Sequence, residues 1–138
     1  LMPHSTLITP NLPEAADLLS LAEAESREDM VGQAKQLLSL GPKAVLLKGG
    51  HLKTSESPDL LVIDEDLRWL ESIRFNTCNT HGTGCSLSSA MASFLGQGYS
   101  LSQAVTLAKQ FIVGAIANAN ELSVGRGNGP VHHFWKVW

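Results

Sequence analysis

Ala44-Val45-Leu46-Leu47-Lys48-Gly49-Gly50-His51 is the stretch on which the fold reading turns. Four apolar residues in a row, without polar alternation, suit a strand buried on both faces. The paired glycines end it. Upstream, Met30, Val31, Ala34, Leu37 and Leu38 recur at helical spacing behind Ser26, with Asp29 in the first turn and Gly41-Pro42 as the stop. Farther upstream, residues 6–9 read as a short buried strand that ends at Pro10. Asn11 then serves as an N-cap with Glu14 as its capping-box partner, and Leu12, Ala15, Leu18 and Leu19 give the apolar face.

Downstream, residues 53–58 read as a polar, mobile loop. Residues 59–63 and 67–75 are strand-like on either side of the polar turn at 64–66. A polar, glycine-containing loop at 76–84 leads into a helix with Leu87, Ala90, Met91, Phe94 and Leu95. Ser100 with Gln103 forms another capping box, and a long helix with a helical-period apolar stripe follows. Residues 125–138 are glycine-rich, then aromatic and histidine-bearing. Strands alternating with helices predict an α/β fold with a partly parallel sheet, the 59–75 pair adding an antiparallel excursion.

The 138 residues fit one domain. With 43% hydrophobic and 17% charged residues, the chain can form a core. A net charge of −3 argues against general nucleic-acid binding, which uses a basic stripe. No apolar run approaches the roughly 20 residues of a membrane span. Cys78 and Cys85, with six residues between them, match neither the CxxC spacing of zinc and redox motifs nor a disulfide scaffold. The expected setting is reducing and cytoplasmic. The sequence opens on Leu1 rather than a methionine and shows no basic-then-apolar leader pattern. The expectation is that the sequence begins where the second half of something larger begins.

Asn79-Thr80-His81-Gly82-Thr83-Gly84-Cys85 carries the strongest chemical signal. A helix first turn has unpaired N–H groups and a positive dipole end. Glycines there let an anion approach closely, and such a turn stabilises charge on a transferring phosphoryl group. Cys85 sits where that field favours a thiolate, which would serve as general base toward a hydroxyl. The same residues also fit an ordinary glycine-bearing loop before a helix, with Cys85 a small buried residue. No GxxxxGK[ST] or GxGxxG segment is present, so a P-loop is excluded and a dinucleotide reading weakened.

Lys48 ends the buried strand, where ligands of open α/β sheets bind, and suits a phosphate. It equally fits a strand-end lysine reaching solvent. Asn11 and Glu14 suit a hydrated magnesium ion but also form a plain capping box. Lys109 reads from spacing alone as a snorkelling surface lysine. His132 and His133 lack i,i+4 geometry, so a terminal packing segment with Trp135 and Trp138 fits better than a metal pair. His4 has no argued role.

Thr9-Pro10-Asn11-Leu12-Pro13-Glu14-Ala15, Lys48-Gly49-Gly50-His51, the 79–85 turn and the 127–134 tail stand in a recognisable order and spacing. In these the chain resembles the hydroxymethylpyrimidine/phosphomethylpyrimidine kinases of thiamin biosynthesis, members of the ribokinase-like superfamily. The resemblance implies the C-terminal, nucleotide-binding half of a three-layer α/β/α fold. It implies phosphorylation of 4-amino-5-hydroxymethyl-2-methylpyrimidine, then of its monophosphate to the pyrophosphate, with ATP as co-substrate and Mg2+. It makes Cys85 catalytic, and Gly82, Thr83 and Gly84 the anion-hole segment. Asn11 and Glu14 match the magnesium/phosphate motif, and Lys48 matches a phosphate-side lysine. Gly49, Thr80 and Lys109 fall on the nucleotide side. A homodimer is implied for the full-length form.

The family's pyrimidine pocket is built mainly from an N-terminal half, so residues 1–138 read as the ATP-binding portion of one kinase domain, inactive as an isolated fragment. Three alternatives stay open. One is a pyridoxal/pyridoxine kinase of the same superfamily. Another is a cysteine hydrolase pairing Cys85 with His81. The third is a non-catalytic nucleotide-binding remnant.

Overall fold

The computed structural model describes residues 1–53 and 56–137. Residues 54 and 55 of the expected polar loop, and Trp138 of the tail, lie outside the described residues. The chain forms two compact units, Leu1–Arg74 and Phe75–Trp138.

Among the described residues the first unit holds a 3-10 turn at Met2–His4, two α-helices and a sheet. Helix α1 (Leu12–Leu19) starts from the capping box read in the sequence. The Asn11 side chain accepts from the Glu14 amide at 2.8 Å, and the Asn11 amide donates to Glu14 Oε2 at 2.7 Å. Helix α2 (Arg27–Ser39) starts in the same way at Ser26 and Asp29. Strands β1 (Ala44–Lys48), β2 (Asp59–Ile63) and β3 (Asp66–Leu70) form a three-stranded antiparallel sheet in the order β1-β2-β3. Asp64 turns the β2–β3 hairpin in the left-handed region, φ 53°, which a short polar side chain tolerates.

Both faces of β1 are buried, as its unbroken apolar run requires. Val45, Leu47, Leu60 and Val62 share one face and one core with Leu12 and Ala15 of α1 and Met30, Ala34 and Leu37 of α2. Burying a side chain of the Val, Leu or Met size contributes about 1.5–3 kcal/mol. Leu18, expected in this core, is instead exposed; Ala16 takes the buried position on α1. Arg27 lies over the Trp69 ring at 4.7 Å and pairs with both Glu71 oxygens at 2.7 Å and with Glu56 at 2.9 Å. These carboxylates, Glu71 foremost, push the guanidinium pKa up.

Two strand expectations need correction. Residues 6–9 form no strand; Ile8 and Asn11 make isolated parallel bridges to Val45 and Lys48. The Ile8 amide reaches the Ala44 carbonyl, and the amides of Leu46 and Lys48 reach the carbonyls of Ile8 and Pro10. The next bond of that ladder would start from the nitrogen of Pro10, which has no hydrogen to donate. The parallel part of the sheet is therefore reduced to bridges. The strand expected at 67–75 stops at Leu70, after which Ile73 makes a single bridge to Glu56.

The second unit is a helix pair with a C-terminal tail. Helix α3 (Thr83–Gly96) buries Leu87 and Met91, with Ala90, Phe94 and Leu95 half-buried. Helix α4 (Leu101–Ala117) packs on it and buries Ala104, Val105, Ala108, Ile112 and Ala115. Its expected capping box is present, with the Ser100 side chain accepting from the Gln103 amide. Val131 and His132 of the tail are buried, in keeping with a packing segment.

Candidate active-site turn and phosphate-side residues

In the first unit, the bridge between Asn11 and Lys48 sets the start of α1 beside the C-terminal end of β1. Asn11, Glu14, Lys48 and Gly49 thus stand together. One oxygen of the exposed Glu14 carboxylate is committed to the capping box, and the other takes no partner among the described residues. Glu14 also lines a cleft of about 460 Å³ with Thr9, Pro10 and Asp17. Lys48 is half-buried.

Gly49 is buried, and its amide donates to Asp59 Oδ1 at 3.1 Å. A Cβ on Gly49 would lie 1.9 Å from the Pro58 carbonyl oxygen. The glycine is therefore demanded by close backbone approach. Asp59, only 3% exposed, fixes this turn, and the sequence reading assigned it no such part.

In the second unit, Gly82 occupies the N-cap position of α3 with φ 84°, in the region that favours glycine. The Thr83 amide and hydroxyl both donate to the Thr80 carbonyl, at 3.3 and 2.7 Å. The Ser86 amide closes the first helical bond to Gly82. The amides of Gly82, Gly84 and Cys85 donate to no acceptor among the described residues. This leaves open donors, one of them on Cys85 itself, at the positive end of a helix dipole.

Cys85 is exposed rather than buried, and both cysteines are free thiols. It lines a cavity of about 540 Å³ with Ser86, Ser89, Ala90, Ser93, Phe94, Phe111 and His133. Lys109 is half-buried on α4 and is not among the residues lining that cavity. No hydrogen bond joins Cys85 to His81 among the described residues. The histidine that reaches the first turn of α3 is His133, whose Nε2 lies 2.7 Å from Ser86 Oγ.

The sequence reading also left Asn79 without a part. Its Nδ2 donates to the Ala119 carbonyl at 2.8 Å, and its Oδ1 accepts from the Gly129 amide at 3.2 Å. An amide side chain just ahead of a glycine turn was the available signal; its partners, 40 and 50 residues away, were not.

Among the described residues, no group of three or more His, Cys, Asp or Glu side chains converges to hold a metal. No described helix is long and apolar enough to cross a membrane.

Comparison with known proteins gives a consistent result. A family model described as phosphomethylpyrimidine kinase matches residues 1–132. The chain is 47% identical to the hydroxymethylpyrimidine/phosphomethylpyrimidine kinase of Salmonella typhimurium over 138 residues, covering all of this chain and 52% of that protein. The Staphylococcus aureus pyridoxal kinase, solved with AMP-PCP and pyridoxal, superposes with a TM-score of 0.91 at 33% identity, over 99% of this chain and 51% of that one. The phosphomethylpyrimidine kinase of Clostridium difficile 630 gives a TM-score of 0.69 at 38% identity, over 83% and 45%. The chain spans about half the length of the curated relatives it matches.

Proposed function

The chain belongs to the phosphomethylpyrimidine kinase family, and from that membership we propose that it supplies the C-terminal, ATP-binding portion of a ribokinase-like kinase domain. The full-length kinase phosphorylates 4-amino-5-hydroxymethyl-2-methylpyrimidine with ATP, then converts the monophosphate to the pyrophosphate. Assembly as a homodimer and a cytoplasmic location belong to the same reading. The observation that carries it is the set of open amides at Gly82, Gly84 and Cys85, with the thiol in the same turn.

In the first step the substrate hydroxyl oxygen attacks the γ-phosphorus, the bond from phosphorus to the bridging oxygen breaks, and ADP leaves. Catalysis of this kind is mostly positioning and charge stabilisation. The Gly82, Gly84 and Cys85 amides hold the transferring phosphoryl oxygens, with Thr83 fixing the turn. Cys85 takes the proton of the attacking hydroxyl. In the second step the acceptor is already an ionised phosphate, so base duty matters less. Lys48 balances phosphate charge, with Gly49, Thr80 and Lys109 on the nucleotide side.

The second oxygen of Glu14 fits a hydrated Mg2+, an ion usually held by one or two carboxylates plus waters and substrate phosphates. Asn11, as N-cap, fixes that carboxylate. When bound, the ion neutralises charge on the nucleotide phosphates.

A second reading keeps the reaction and changes the acceptor to pyridoxal. It is favoured by the TM-score of 0.91 to a pyridoxal kinase. The test is transfer of labelled γ-phosphate by the full-length protein to the hydroxymethylpyrimidine and to pyridoxal, side by side. Faster transfer to the pyrimidine, and further transfer to its monophosphate, is the expected result. Preference for pyridoxal installs the second reading, and transfer to neither favours a nucleotide-binding remnant.

A further inference from the structure

We propose that the C-terminal segment 129–133 is a strap that sets the geometry of the 79–86 turn, with His133 as a positioning residue acting through Ser86. The inference rests on the kinase reading for its catalytic consequence, but not for its structural content.

The strap holds the turn on both flanks. Ahead of the glycines, Asn79 Oδ1 accepts from the Gly129 amide at 3.2 Å. His81 pairs with the strap in parallel, its amide donating to the Gly129 carbonyl at 3.0 Å and its carbonyl accepting from Val131 at 3.4 Å. Past the glycines, His133 Nε2 and Ser86 Oγ share a hydrogen bond of 2.7 Å. Ser86 is the residue whose amide closes the first turn of α3 onto Gly82. The open amides of Gly82, Gly84 and Cys85 therefore lie between two attachment points of one segment.

The strap is itself anchored. The His132 amide donates to the Ala115 carbonyl of α4 at 2.9 Å. The Trp135 ring occupies the space beside Gly114, where a Cβ would meet it at 2.1 Å. Val131, just ahead of these anchors, is fully buried. A turn whose glycines make it intrinsically loose is thus referenced to α4 through the tail. Charge stabilisation by amides depends on their being already aimed where charge develops. Loosening the latch at His133 should then cost turnover and spare nucleotide affinity.

The test uses the full-length protein with His133→Ala, His133→Gln, Ser86→Ala and the His133→Ala/Ser86→Ala pair. His133→Ala should lower kcat by on the order of ten- to a hundredfold, the scale of small misplacements around a reacting centre. The KM for ATP should stay within about twofold, the signature of an interaction expressed in the transition state. His133→Gln, which keeps an amide near the Nε2 position, should restore most of the loss. The double variant should be no worse than either single one, because both break one bond. Amide hydrogen exchange at Thr83 and Ser86, the hydrogen-bonded amides of the turn, should quicken in the unliganded His133→Ala protein.

Unchanged kcat in an active enzyme, or no rescue by glutamine, would overturn the positioning role. Unchanged exchange at Thr83 and Ser86 would overturn the strap itself. If the wild-type protein transfers no phosphoryl group, the kinase reading fails, and the exchange result alone decides whether the strap holds the turn.

Discussion

Cys85 is the third residue of α3, exposed, with its own amide and that of Gly84 open to a ligand. Thiol and open amide donors are therefore part of one backbone turn, and their relative placement is fixed by local helix geometry. Gly49 shows a different kind of constraint. Its Cβ position falls on the Pro58 carbonyl oxygen, a backbone atom that cannot swing aside. Gly49→Ala should destabilise the protein by at least about 2 kcal/mol, the scale of overpacking a tight site. Urea unfolding checks this, and an unchanged midpoint would mean that the 49–58 approach is looser than described. Asn79→Ala removes both side-chain bonds to Ala119 and Gly129. It should cost about 1–3 kcal/mol, chiefly by leaving partners unsatisfied, measurable in the same experiment.

At the scale of elements, three helices start from capping boxes, at Asn11, Ser26 and Ser100. The boxes at Asn11 and Ser100 were legible in the sequence because the signal is contained within four residues. At Ser26 the helix start was legible, with Asp29 in its first turn, and the structure adds the box. The unbroken run of β1 was legible for a similar reason. The parallel pairing of residues 8–11 was not, because Pro10 leaves the carbonyls paired while deleting one donor, so a strand-like sequence becomes bridges. The Ser86–His133 bond spans 47 residues and leaves no local trace. The glycine turn before α3 could be recognised, while the partners that hold it could not.

The Ser26 box carries a pH signature. Asp29 accepts from the Ser26 hydroxyl and from the amides of Glu25 and Ser26, and these bonds hold its carboxyl below the ordinary range. A depressed folded-state value contributes stability that is complete above the unfolded value, about 4, and fades as pH falls through the folded one. Asp29→Asn should lower stability at neutral pH and flatten part of the acid-side decline. Unfolding midpoints measured from neutral pH down to about pH 2 test this. An acid limb identical to wild type would remove Asp29 from the account.

At the scale of the whole molecule, Asn11, Glu14, Lys48 and Gly49 stand in the unit 1–74 and the glycine turn with its thiol in the unit 75–138. The chain covers about half the length of these curated relatives. The central claim is that Cys85 and its turn perform phosphoryl transfer, and kcat of the full-length Cys85→Ala variant tests it most directly, with ATP affinity measured alongside. The expected result is a fall in turnover for the hydroxymethyl substrate of on the order of a hundredfold or more, the range of a lost general base, with ATP binding retained. Turnover equal to wild type would contradict it.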